Sequence, residues 1–210
     1  MSIEYEKNNK ERIPYEHYKN IFSELIPHEA MLRCNLPYDE DTREFSFRLM
    51  GEEYTIKYPD AEIRHIDGTE VTAYNMKILI LRYLNDGRYC KPTGKLLTYR
   101  DIPWGEVYYP NFQGRCILRL SYTFGTKLDQ FDATMEKIGG QKISMGDSGY
   151  KFEFMNDLHM YFILWAGDED FPPSAQILFD DNFPLAFTAE DIAVVGDVSI
   201  GKLKEIASSL

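Results

Sequence analysis

Residues 43–58 read REFSFRLMGEEYTIKY, and their alternation decides the fold class. Phe45, Phe47 and Leu49 alternate with Ser46 and Arg48; after Gly51-Glu52, Tyr54, Ile56 and Tyr58 alternate with Thr55 and Lys57. A period of two is that of strands with one buried face, and a glycine between two such runs supplies the turn of a β-hairpin. The segments on either side keep the other period. Upstream, Tyr15, Tyr18, Phe22, Leu25 and Ile26 recur at helical spacing, and Pro27 is expected to end that helix. Downstream, residues 63–66 suggest a short third strand. Thr69 then reads as the N-cap of a helix carrying Val71, Tyr74, Ile78, Leu81 and Leu84, stopped by Asp86-Gly87.

The rest of the chain repeats this segregation of strands from helices. Residues 91–110 carry three prolines and two glycines and read as an irregular connection, with a short structured piece at residues 99–102. Residues 112–124 form a helix, and a second one, with Leu128, Phe131, Met135 and Ile138 on one face, ends at Gly139-Gly140. Residues 150–155 and 158–165 read as strands, the second apolar on both faces and so central in its sheet, and residues 176–179 as a further short strand. Thr188, with Asp191 three residues on, caps a short helix, and residues 200–206 form a separate last one. This order fits one α+β domain over residues 1–210, with a mixed or antiparallel sheet and an aromatic-rich hairpin packed against several helices. The glycines 139, 140 and 146 follow a helix, so they are no dinucleotide fingerprint.

Composition narrows the function classes. With 44% hydrophobic and 27% charged residues, the 210-residue chain has the mix of an ordinary globular protein. A net charge of -11 without a Lys/Arg cluster argues against nucleic acid and against anionic membrane surfaces as partners. No apolar run approaches the ~20 residues that cross a bilayer. The polar Met1 to Arg12 stretch lacks the apolar core of a secretory signal, so a cytoplasmic location is expected. Cys34, Cys90 and Cys116 form no C-x-x-C pair, which speaks against a disulfide framework or a thiolate metal knuckle.

Candidate chemistry concentrates in Trp165-Ala166-Gly167-Asp168-Glu169-Asp170-Phe171-Pro172-Pro173. Adjacent carboxylates can hold a hard cation or keep one proton by mutual repulsion, although the spacing of a calcium loop is missing. Phe179-Asp180-Asp181-Asn182 repeats the theme. If residues 176–179 pair beside residues 158–165, the two acidic loops are expected to meet in one rim; Asp180 is otherwise a local Asx-turn residue. The candidate ligand-binding residues are therefore Trp165, Asp168, Glu169, Asp170, Phe171 and Asp180. His17, His28, His65 and His159 share no metal-ligand spacing, and no structural metal is expected. His159, among apolar neighbours, reads as a core histidine, with base or axial-ligand duty as the alternative. Cys116 reads as a small buried helix residue. Arg115 and Arg119, one turn apart, either clamp an anion or answer an acid of the chain.

These blocks also carry a family likeness. From residue 83 to 195 the chain resembles the domain-of-unknown-function family 3786. The likeness rests on Arg82-Tyr83-Leu84 at a helix end, Gly139-Gly140, Gly146-Asp147, Trp165, residues 168–171, and Ile177-Leu178-Phe179-Asp180. The family, found mainly in anaerobic bacteria and archaea, has no established reaction. Some members are joined to cysteine-rich iron–sulfur domains or accompany corrinoid-dependent one-carbon metabolism. The resemblance thus implies an accessory or ligand-binding role, with a corrinoid or other tetrapyrrole as the cofactor to test. The chain departs from that variant in lacking a cysteine cluster, and in having Asn156-Asp157-Leu158 where such members carry proline before the Trp165 strand. Two further classes stay open: a metal-dependent hydrolase or transferase using Asp168, Glu169, Asp170 and Asp180, and a protein-interaction module whose acidic face docks a basic partner.

Overall fold

The computed structural model describes residues 3–210, with side chains from residue 9 onward. The reading of Met1 to Arg12 as no secretory signal rests mainly on side chains outside the described ones. The architecture is α+β, its strands antiparallel, and the contacts divide the chain into two compact units. One comprises residues 1–48 and 52–89; the other comprises residues 49–51 and 90–210.

The first unit holds α1 (Ile3–Ser23), α2 (Pro27–Cys34), β1 (Tyr38–Asp39), β2 (Glu44–Leu49, its last residue grouped with the other unit), β3 (Glu52–Lys57), β4 (Glu62–His65) and α3 (Tyr74–Asp86). The quoted stretch forms the hairpin as its alternation demands: Phe45, Phe47, Tyr54 and Ile56 are buried, and the rings of Phe47 and Tyr54 stack at 5.8 Å. Its turn is Met50-Gly51, one residue earlier than expected, with φ of 48° and 82°. A two-residue loop with both φ positive matches the twist of the flanking strands. Pro27 opens α2 instead of ending α1, because a proline at the first helical position loses no hydrogen bond the helix would have made. Likewise Thr69 is no N-cap: Glu70 bridges to Arg64, and α3 begins only at Tyr74. The end of α3 is closed by Arg33, whose guanidinium donates to the carbonyls of Leu84 and Gly87, each at 2.6 Å. That satisfies two acceptors left free by the last turn.

The second unit holds β5 (Leu96–Thr98), a 3-10 turn (Tyr99–Asp101), α4 (Gly105–Phe112), a π-helical segment (Gln113–Leu118), α5 (Arg119–Phe124), α6 (Leu128–Lys137), β6 (Gln141–Ile143), β7 (Ser148–Met155), β8 (Leu158–Trp165), β9 (Ser174–Asp180), α7 (Phe183–Ala186) and α8 (Ala189–Ser208). Its strands run in the order β7-β8-β9-β5, with β6 on β7, so β8 is central as expected. Residues 91–110 are more ordered than their prolines suggest; they supply β5 and the start of α4, and Pro110 lies inside α4. The final two helices are one, α8, opened by the Thr188–Asp191 capping box. One face of the sheet packs on the helices: Phe112 of α4 lies 6.0 Å from Phe179, Phe152 packs edge-on to Phe162, and Ser199 of α8 reaches Met160, while Tyr161, Ile163 and Leu178 form a smaller buried cluster with Ile143 on the other face. Because side chains alternate along a strand, Lys151, Glu153, His159, Tyr161 and Asp180 lie on the opposite face.

No helix among the described residues is long and apolar enough to cross a membrane.

Candidate functional site

Two local features bring the polar residues of that opposite face together. Asn156 and Asp157, with φ of 47° and 63°, make a two-residue turn between β7 and β8. The turn occupies the place of the proline expected from the resemblance and pairs Met155 with Leu158; a β-bulge between Glu153 and Met155 then shifts the register by one residue, which sets Glu153 opposite His159 and Lys151 opposite Tyr161. Met160 then pairs with Phe179, so the next position, Asp180, falls beside His159.

Asp180 is buried, its side chain 1% exposed. Tyr161 donates its hydroxyl to Oδ1 at 2.8 Å, and Nδ1 of His159 lies 3.1 Å from Oδ2. Lys151 stands behind, its Nζ 3.9 Å from Oδ2 and 5.7 Å from the centre of the Tyr161 ring. A buried carboxylate is stable only when its lone pairs are occupied, and here a phenol and an imidazole do so while an ammonium 3.9 Å away adds opposite charge. Burial, followed by the bond to Asp180, pushes the Tyr161 hydroxyl above its ordinary value, so it stays a donor at neutral pH. Since a carboxylate faces Nδ1, the hydrogen bond assigns the ring proton to that nitrogen. In the neutral ring Nε2 then keeps its lone pair, and among the described residues it has no hydrogen-bond partner. His159 is therefore not a core histidine; its side chain is 23% exposed, at the edge of a buried cluster of Tyr161, Ile163 and Leu178 on the same face. Asp180 is no Asx-turn residue either, because its strand carries it inward; Asp181 instead binds the N–H of Thr93 at 2.9 Å.

The remaining candidates stand elsewhere. Trp165 pairs with Ser174 at the far end of β8 and β9, so the acidic loop and Asp180 are separated by the length of β9, about 20 Å at ~3.4 Å per residue. The single acidic rim does not form, because antiparallel neighbours joined by the loop put Asp180 at the other end of the strand. Asp168 spends Oδ1 on the N–H groups of Asp170 and Phe171, at 2.9 and 2.7 Å, making the turn. Glu169 and Asp170 are exposed, as are Trp165 and Phe171, the latter to 71%. Of the six residues singled out from the sequence, only Asp180 belongs to the buried cluster. His159 reads from the sequence as a core histidine with base or axial-ligand duty as the alternative, and Lys151 and Tyr161 were missed; the Asn-Asp pair signals the turn between their strands, but the bulge that sets the register of Lys151 has no sequence signal.

Other candidates resolve simply. Cys116 is fully buried against Gly196, and burial, with Asp197 adding to it, pushes its thiol up to about 12. Arg115 and Arg119 both answer Asp197, the first at 3.1 Å. No group of three or more His, Cys, Asp or Glu among the described residues is placed to hold a metal ion.

The model of the family described as Domain of unknown function (DUF3786) matches residues 27–202. The chain belongs to the DUF3786 family. No curated protein and no solved structure matches it. The match covers both units of this DUF3786 protein in large part, and it includes every residue of the Asp180 cluster as well as the acidic loop.

Proposed function

We propose that this DUF3786 protein is a cytoplasmic ligand-binding or accessory protein whose recognition group is the His159 imidazole. The observation that carries the reading is the contact of Nδ1 with the buried Asp180 carboxylate, which leaves Nε2, on a side chain 23% exposed, without a hydrogen-bond partner among the described residues. Histidines that bind a metal centre commonly donate their other ring N–H to a carboxylate, which fixes the ring and raises its basicity. Tyr161 holds Asp180 in turn, so the imidazole is positioned before any ligand arrives. A corrinoid or other tetrapyrrole would offer a metal centre with an open axial position, which suits such a nitrogen; the family resemblance favours that class. The residues that fit it are His159, Asp180 and Tyr161, not the Trp165 loop. The net charge of -11 supports a small-molecule or protein partner over nucleic acid.

Titration with hydroxocobalamin and with haemin, followed by visible absorbance and thermal unfolding, tests this. A saturable spectral change and a raised Tm are expected, both lost in His159→Ala, with affinity reduced roughly 10–100-fold in Asp180→Asn. A spectral change that His159→Ala retains, or no change with either compound, would refute the reading.

A second reading keeps the acidic loop. Exposed Glu169, Asp170 and Phe171 offer a charged rim with an aromatic anchor to a basic protein partner, and a pull-down that weakens with salt tests it. A metal-dependent hydrolase or transferase built on Asp168, Glu169, Asp170 and Asp180 has less support, since the two acidic sites lie at opposite ends of β9.

A further inference from the structure

A groove of about 590 Å³ runs between the π-helical segment, α5, the start of α6 and the last turn of α8. That volume suits a small molecule. Its chemistry is unlike the rest of the chain: Arg119, Lys127 and Lys204 line it, and no Asp or Glu does, although the protein carries 34 acids against 23 bases. Arg119 is tied to Asp197. Neither Lys127 nor Lys204 has a carboxylate partner among the described residues, so their charge is unspent. Beside them stand Tyr122, 77% exposed, and Leu118, 42% exposed, a planar ring and an apolar side chain that the core does not use.

The backbone keeps the groove open. The π-helical turn inserts an extra residue into the long helix, a local irregularity often found at functional sites. Gly114 within it lines the groove, and a Cβ added there would meet nothing within 4 Å. Gln130 donates to the carbonyl of Ala207 at 3.0 Å, joining α6 to the end of α8 at the wall. Lys127 and Gln130 also line a neighbouring cavity of about 540 Å³ bordered by Ala166 and Gly167, so Lys127 serves both spaces.

We propose that this groove binds a small organic anion, its phosphate or carboxylate head held by Lys127 and Lys204 and its planar or apolar body lying on Tyr122 and Leu118. Unpaired ammonium groups supply the head-group contact, and an exposed phenol ring supplies a flat surface at low entropic cost. The site is distinct from the His159 face and does not depend on that reading.

The test is amide chemical-shift mapping of the full chain with phenyl phosphate and with benzoate, and with phenol as the neutral control. Saturable shifts at Gly114, Tyr122, Lys127 and Ala207 are expected with at least one anion, weakening as salt is raised. The tighter of the two anions identifies the head group. Lys127→Gln with Lys204→Gln should weaken binding at least tenfold without moving the Tm, because both side chains are exposed and unpaired. Tyr122→Ala should weaken phenyl phosphate but not inorganic phosphate, and His159→Ala should change neither. No saturable shift with either anion, shifts centred elsewhere, equal binding of phenol, or full affinity in the double lysine variant would overturn the proposal.

Discussion

Replacing Asp180 with alanine removes the group around which the candidate site is built, and the cost can be worked from its partners. Tyr161, 9% exposed, loses a hydrogen bond to a charged acceptor, worth about 1.5–2 kcal/mol including the unsatisfied hydroxyl. His159 is 23% exposed, so water recovers part of its bond, leaving about 1 kcal/mol. Lys151, 29% exposed and 3.9 Å away, adds no more than ~0.5 kcal/mol. The sum is about 3 kcal/mol. Urea unfolding followed by far-UV circular dichroism measures it as a fall in the transition midpoint at constant slope. Asp168→Ala is the comparison: its carboxylate serves only an exposed turn, and a loss below ~1 kcal/mol is expected. In a cycle with Tyr161→Phe, the Asp180–Tyr161 coupling should be about 1–2 kcal/mol. A loss under ~0.5 kcal/mol for Asp180→Ala, or one equal to that of Asp168→Ala, would show that the cluster does not hold this face together.

Further outcomes follow from burial. Tyr54, Tyr99 and Tyr161 all have hydroxyls raised above the ordinary value of 10.0, chiefly by burial, so the folded state keeps them neutral while the unfolded chain ionises them. Their contribution to stability is intact below pH 10 and drains away above it; of the 15 tyrosines, the share of tyrosinate absorbance that belongs to these three should therefore appear together with unfolding, not before it. A thiol reagent at pH 8 should modify Cys90 quickly, since it is exposed, while Cys34 and Cys116, pushed up to about 11 and about 12 by burial, react only on unfolding. Three fast thiols would contradict the packing around α2 and α8. Phe162→Ala should cost about 3–5 kcal/mol, as its fully buried ring packs against Phe152 between sheet and helices. Gly105→Ala should destabilise markedly by thermal melting, because a Cβ there would sit 1.9 Å from the carbonyl oxygen of Tyr99.

What the sequence determined by itself is local. Side chains recur every two residues in strands and every 3.6 in helices, so the hairpin at residues 43–58, the apolar β8 and the face of α6 were legible from one window each. Boundaries that turn on proline were not: Pro27 can close one helix or open the next, and its chemistry is the same in both. Residues 91–110 hid β5 because a three-residue strand has too few alternations to be seen, and it exists only by pairing with β9.

The site lay further out of reach. A row of acids at residues 168–170 draws the eye because its members are adjacent, yet adjacency on a loop brings charges into water, where a turn absorbs them. Asp180 and His159 lie 21 residues apart, and nothing local joins them. Their meeting was decided by register: the pairing of Met160 with Phe179 aligned β8 with β9, the Asn156-Asp157 turn and the bulge after Glu153 brought Lys151 of β7 alongside, and the pleat turned these side chains to the face opposite Phe152 and Phe162. Periodicity says which residues share a face, and only strand pairing says which of them touch.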